Sequence, residues 1–200
     1  RTNGVTLGER AIPEETAIAF TYNGTTYAVM MATPQDLEDF GVGFSLSERV
    51  VDTLESIEQL EAVETELGIE LRMWLKDVDA ARLAERRRQH AGPTGCGLCG
   101  IESLAEAMRP PLPGSATRKF TSAEIMEAVA SMAPSQILNH ETRAVHAAGY
   151  WEPGRGLVAL REDVGRHNAL DKLCGALARG GENARNGLIV LTSRISVEMV

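Results

Sequence analysis

The sequence has 200 residues, 44% of them hydrophobic, which is enough for one substantial core and too apolar for a disordered chain. Its 28 acidic against 20 basic residues give a net charge of -8, so general electrostatic attraction to nucleic acid or to an anionic membrane is not expected. No apolar run approaches the roughly 18 residues that cross a bilayer, and the start RTNGVTLGER lacks the apolar centre of a secretory signal, so a cytoplasmic protein is expected.

In chain order, TAIAFTY and TTYAVMM are β-rich runs on either side of Asn23-Gly24, two residues that tolerate positive φ and predict a hairpin. Thr33-Pro34-Gln35-Asp36 offers an N-cap hydroxyl, a first-turn proline and an acid before Leu37, Phe40, Val42, Phe44 and Leu46, predicting a helix over 34–48. IEQLEAVETE and IELRMWL flank Leu67-Gly68 and alternate in polarity as a second strand pair would. VDAARLAERRRQH is composed of good helix formers, with Arg86, Arg87 and Arg88 as a solvated last turn favoured by the helix dipole.

Beyond the glycine-rich stretch GCGLCG at 95–100, IESLAEAM predicts a short helix stopped by Pro110 and Pro111, and PPLPG a turn or linker. Thr121-Ser122-Ala123-Glu124 is a capping box that opens a helix to about Met132. AVHAAGYW and GLVALRED, joined through Glu152-Pro153-Gly154-Arg155, predict another hairpin, followed by a helix over 165–179 and the apolar strand GLIVLTS. Strands and helices interleave without a regular βαβ repeat, so the expected class is α/β, a mixed sheet covered by helices. Three regions are expected to form one compact unit: 1–92 with the hairpins and first helix, 93–120 with the cysteine loop, short helix and linker, and 121–200 as a C-terminal α/β region. The sequence stops just after a strand-like run, and further chain is expected downstream.

Chemistry concentrates in two places. Cys96 and Cys99 are two of three cysteines, an odd number too small for a disulfide framework, so a reducing compartment and a functional pair fit better. Three chemistries use Cys-x-x-Cys: a disulfide, half of a metal site, and a reactive thiol pair. A zinc deaminase would need an upstream His-x-Glu, and none occurs; a structural zinc site needs a second close pair, which His90, His140, His146, His167 and Cys174 do not supply. A thioredoxin-like pair follows a strand, whereas this loop follows a charged helix. Sulfur carriage by one accessible thiolate needs only access, which Gly95, Gly97 and Gly100 provide, and a lowered pKa, which a following helix N-terminus favours. It leads narrowly, with zinc and dithiol redox chemistry still open. Cys174, on a face with Leu170, Leu173 and Leu177, is expected to be a small buried hydrophobe.

The second place is Glu162–Lys172, EDVGRHNALDK, six ionisable groups and an amide at a strand-to-helix junction. Asp163 is suited to cap the helix, while Arg166, His167, Asn168 and the amides around Gly165 suit phosphate or nucleobase groups. Against this stands a polar surface face, with His167 and Asp171, and Asn168 and Lys172, as ordinary one-turn pairs. His146 is a secondary candidate, because a histidine in an apolar strand is more often a hydrogen-bonded core residue.

Taken together, GCGLCG before a helix, then VHAA, then EDVGRHNALDK, preceded by TYNG, MMATPQDLEDFGVGF and SERV, resemble the formate dehydrogenase accessory sulfurtransferase family (FdhD) over nearly the whole chain. The resemblance implies a cytidine-deaminase-like three-layer α/β/α fold and a sulfurtransferase with a cysteine persulfide intermediate. Such a protein would relay sulfur from a cysteine desulfurase to the bis(molybdopterin guanine dinucleotide) form of the molybdenum cofactor, for the maturation of formate dehydrogenase. It implies the persulfide on Cys96 with Cys99 as its partner, and Asp163, Arg166, His167 and Asn168 near the cofactor pocket, with His146 as the secondary candidate. No permanent metal is expected, and homodimerisation is left open. A cofactor-holding chaperone without catalysis and a zinc-binding domain are the rival readings. Where the family carries Thr-Gly-Gly before the histidine strand, this chain has Thr142-Arg143-Ala144.

Overall fold

A computed structural model describes residues 9–76, 118–196 and 199. The first half forms β1 (Thr16–Tyr22), β2 (Thr25–Ala32), α1 (Leu37–Ser47), β3 (Ile57–Thr65) and β4 (Gly68–Leu75). The second half forms α2 (Ser122–Met132), α3 (Ile137–Thr142), β5 (His146–Glu152), β6 (Gly156–Asp163), α4 (Arg166–Arg179) and β7 (Leu188–Leu191). The helix of residues 78–90, Arg86 to Arg88, the cysteine loop, the IESLAEAM helix and PPLPG lie outside the described residues. No described helix is long and apolar enough to cross a membrane.

The α/β class holds, with the strands divided between two sheets. The first has the order β2-β1-β4-β3, mixed because β1 and β4 run parallel, and the second is antiparallel in the order β6-β5-β7. The first hairpin turns at Asn23 and Gly24, both at positive φ, 48° and 76°. That geometry matches the strand twist, and it explains why the Asn-Gly pair specifies the register in which Tyr22 faces Thr25. The capping box also forms: the Thr121 hydroxyl accepts from the Glu124 amide at 3.2 Å, and Glu124 accepts from the Thr121 amide at 2.8 Å.

Two cores follow the two sheets. Phe20 stacks on Phe44 at 4.0 Å between ring centroids and meets Phe40 edge-on at 4.9 Å, fixing α1 on the first sheet with Ile18, Leu71 and Met73. Ala148 and Tyr150 of β5 pack on Ala169, Leu173 and Leu177 of α4. The alternate β5 residues face the other way, toward α2, where a side chain at Gly149 would strike Met132 Sδ. The order of layers is therefore first sheet, α1, α4, second sheet, α2.

Helices α1 and α4 join the halves at a crossing of two glycines. A Cβ on Gly43 would lie 1.7 Å from the Asp171 carbonyl oxygen, and one on Gly175 would lie 1.8 Å from that of Asp39. Backbone therefore touches backbone, as it does only where side chains are absent. Asp39, at the start of α1, locks the angle by accepting from Arg161 Nε of β6 at 2.8 Å and Arg179 Nη1 of α4 at 2.6 Å.

Three local departures from the sequence reading have physical causes. α1 begins at Leu37 and not at residue 34, because Thr33 does not cap it: its amide and hydroxyl go to Asp163 Oδ2, at 3.0 and 2.8 Å, and Asp36 at φ 53° stands at the N-cap. α3 has six residues, too few to show a period, and its first amides are satisfied from a distance by Glu162, which accepts from Leu138 N at 2.8 Å and Asn139 N at 2.9 Å. Arg143 ends α3 at φ 56°, the left-handed conformation that glycine adopts most easily, in the segment where the resembling family has glycines.

Gly43→Ala and Gly175→Ala should each destabilise the protein by at least about 3 kcal/mol, since the obstruction is backbone that cannot swing away. Urea unfolding checks this; an unchanged midpoint would contradict the close crossing.

Candidate functional site

The strand-to-helix junction at the end of β6 is organised around Asp163, whose side chain is 0% exposed. Its Oδ2 accepts from Lys172 Nζ at 2.7 Å, from the Thr33 amide at 3.0 Å and from the Thr33 hydroxyl at 2.8 Å. Its Oδ1 accepts from the Gly165 amide at 2.8 Å and from Asn168 Nδ2 at 2.9 Å. Asn168 gives its other amide hydrogen to the Met31 carbonyl at 2.9 Å, and Lys172 donates also to the Thr33 carbonyl and hydroxyl, both at 2.9 Å. Lys172 has its ammonium 5.4 Å from the centre of the Phe40 ring. Burial pushes the lysine below its ordinary range, and the adjacent Asp163 carboxylate works against that shift.

The expected site residues separate accordingly. Asp163 and Asn168 are buried, and the two carboxylate oxygens and the Asn168 amide nitrogen are engaged within the fold, where they shape the junction. Nor does Asp163 cap α4. Gly165 is the N-cap, no side chain caps the helix, and Asp163 reaches the Gly165 amide instead. Lys172 is not a surface partner of Asn168; it is wholly buried against Asp163. Arg166 and His167 form the half-buried first turn of α4, and His146, also half-buried, lies directly across the strand pair from Asp163. Cys96 and Cys99 lie outside the described residues.

Electrostatics distinguish this opening turn. Acids are the usual residues at the positive end of a helix, but the first turn of α4 has none and carries Arg166 and His167. The amide dipoles and the Arg166 guanidinium there are of one sign, and the ligand complementary to them is an anion such as a phosphate. A concavity of about 340 Å³ elsewhere, lined by Thr21, Thr26, Glu70, Arg72 and Trp74 on the first sheet, includes none of the expected site residues.

Sequence reasoning gave Thr33 the role of a helix cap and Lys172 that of a surface partner of Asn168, and missed their pairing with Asp163. A signal existed for the lysine: three and one residues from Ala169 and Leu173, it falls on the apolar stripe of α4, where a charge needs a buried partner. Thr33 carried none, since its partner is 130 positions away.

Comparison with known proteins bears on the same segments. A profile described as the FdhD/NarQ family matches residues 13–200. A protein of Agrobacterium fabrum named sulfur carrier protein FdhD is 52% identical over 195 residues, 96% of this chain and 72% of the relative. One of the same name from Brucella abortus is 54% identical over 201 residues, 100% of this chain and 75% of the relative. Among solved structures, a candidate formate dehydrogenase accessory protein from Desulfotalea psychrophila superposes with a TM-score of 0.69 at 25% identity, covering 100% of this chain and 72% of that one.

One turn below His167, Asp171 accepts from the Ser47 hydroxyl at 2.7 Å at the C-terminal end of α1. Burial pushes its carboxyl up to about 7, the Ser47 hydrogen bond opposes this, and the negative charges of Glu48 and Asp163 add to it. Cys174, half-buried nearby, has its thiol pushed up to about 11 by burial, with Asp171 contributing, which makes it a poor nucleophile. A carboxyl raised from an unfolded value of about 4 holds its proton more tightly when folded, so its stabilisation is full below about pH 4 and is lost as pH rises through about 7. Asp171→Asn should remove that slope: relative to the parent, the variant should gain stability between pH 5 and pH 8. Urea midpoints at the two pH values measure this, and equal differences would contradict the raised value.

Proposed function

Because this chain belongs to the FdhD/NarQ family, we propose that it is a cytoplasmic sulfur carrier that serves the maturation of formate dehydrogenase. The proposed path runs from a cysteine desulfurase through Cys96 to the bis(molybdopterin guanine dinucleotide) cofactor, which the protein handles as cargo. What supports this is the GCGLCG loop in a chain 52% identical to a protein named as a sulfur carrier.

In the proposed first step the Cys96 thiolate attacks the terminal sulfur of the donor persulfide. The donor leaves as a thiolate, and Cys96 keeps the sulfur as its own persulfide. In the release step the Cys99 thiolate attacks Cys96 Sγ, the S–S bond of the persulfide breaks, the outer sulfur leaves to the acceptor as hydrosulfide, and the two cysteines end as a disulfide. Arg166, His167 and the positive end of α4 take the anionic phosphates of the cofactor, with His146 beside them, while Asp163 and Asn168 hold the turn in place.

Intact-protein mass spectrometry after incubation with a cysteine desulfurase and cysteine should show one added, reductant-labile sulfur on the parent and none on Cys96→Ala. Equal labelling of the two would refute the assignment to Cys96. Calorimetry with guanosine diphosphate, the nucleotide end of the cargo, tests the other half. Arg166→Ala combined with His167→Ala should weaken binding at least roughly tenfold, or about 1.4 kcal/mol; unchanged affinity would remove both residues from the site.

A further inference from the structure

We propose that Thr33 and Lys172 are positioning residues for this site, acting through Asp163 on the opening turn of α4. This rests on the assignment of Arg166 and His167 to the phosphates of the cargo. Neither positioning residue is available to a ligand: Thr33 is 1% exposed and Lys172 0%.

The geometry defines what they do. Asp163 stands two residues before Gly165, the N-cap of α4, and its carboxylate is held on that amide. Oδ2 is fixed by Lys172 and by two donors of Thr33, and Oδ1 by the Gly165 amide and Asn168. The N-cap is a glycine, so no side chain of its own caps α4, and the nearest carboxylate oxygen is held on the Gly165 amide. Gly165 is also fixed in place, since its amide is bound to an oxygen that cannot move independently of β2.

Stability alone does not account for such an arrangement, because a buried ion pair is commonly replaced by apolar residues at no loss. What apolar residues cannot do is hold a carboxylate oxygen on the Gly165 amide and on Asn168, and so fix the turn that opens α4. The hydroxyl of Thr33 is central to this, accepting from Lys172 at 2.9 Å while donating to Asp163 at 2.8 Å. A residue just past the end of β2, 130 positions away in sequence from Asp163, thus positions the opening turn of a helix in the second half.

The test separates the hydroxyl from the volume it occupies, using the full chain. Thr33→Val keeps the volume and loses the hydroxyl; Thr33→Ser keeps the hydroxyl and loses a methyl group. Thr33→Val should raise the Kd for guanosine diphosphate roughly fivefold and speed exchange of the Gly165 amide roughly tenfold, with Thr33→Ser near the parent in both. A packing role would give the reverse order. Should Thr33→Val fail to fold, Thr33→Ala takes its place with the same expectations. Parent-like values for the hydroxyl-free variant, or equal losses in it and Thr33→Ser, would overturn the proposal. If the parent binds no guanosine diphosphate, the cargo assignment fails, and Gly165 exchange alone still decides for or against positioning by Thr33.

Discussion

A lysine ammonium and an aspartate carboxylate, both removed from water and 2.7 Å apart, set the terms for the rest of this fold. Desolvating such groups is unfavourable by several kcal/mol each, and their attraction offsets this only when every remaining donor and acceptor is matched. That condition is met: Lys172 has three acceptors and Asp163 five donors, drawn from Thr33 just past β2, α4 and the turn between β6 and α4. Removing one partner from a buried pair typically costs about 3–5 kcal/mol. The end of β2 cannot therefore drift from the end of β6.

Several other features follow from that tether. Thr33, committed to Asp163, cannot begin a helix, and α1 starts only after the left-handed Asp36. The delayed start sets the rotational phase of α1. Phe40 and Phe44 then face the first sheet, while Asp39 and Gly43 face α4. Two arginines reach Asp39 because β6 and α4 arrive from the far side, and the glycine crossing lets the helix backbones close on each other. Apolar burial provides the bulk of the cohesion, but it is non-directional. Register and angle come from the polar network and the two missing side chains.

How much of this was legible in the sequence depended on range. Asn23-Gly24, the Thr121 capping box and the alternation in IELRMWL report conformations decided within a few residues, and each forms where its pattern lies. The expected cap at Thr33 failed for the opposite reason: its local signal was sound, but a carboxylate 130 positions away competed better for the same hydroxyl. The short α3 was missed because its capping group, Glu162, is remote. At the site, the density of EDVGRHNALDK located the junction correctly. Only coordinates divide its polar residues into the buried Asp163, Asn168 and Lys172, which build the turn, and the half-buried Arg166 and His167 of the helix's first turn.

The tether also has a consequence in time. Thr33 and Lys172 are 139 residues apart, and a ribosome adding about 5–20 residues per second needs on the order of ten seconds to make the second after the first. For the part of that interval after Leu75, the last residue of β4, the strands of the first sheet and α1 have been made without the helix that covers Gly43 and Asp39. A nascent chain in this state shows an unpaired acidic group and a glycine-lined helix face to whatever is nearby. A pause in translation just before α4 emerges would lengthen the exposure of that face.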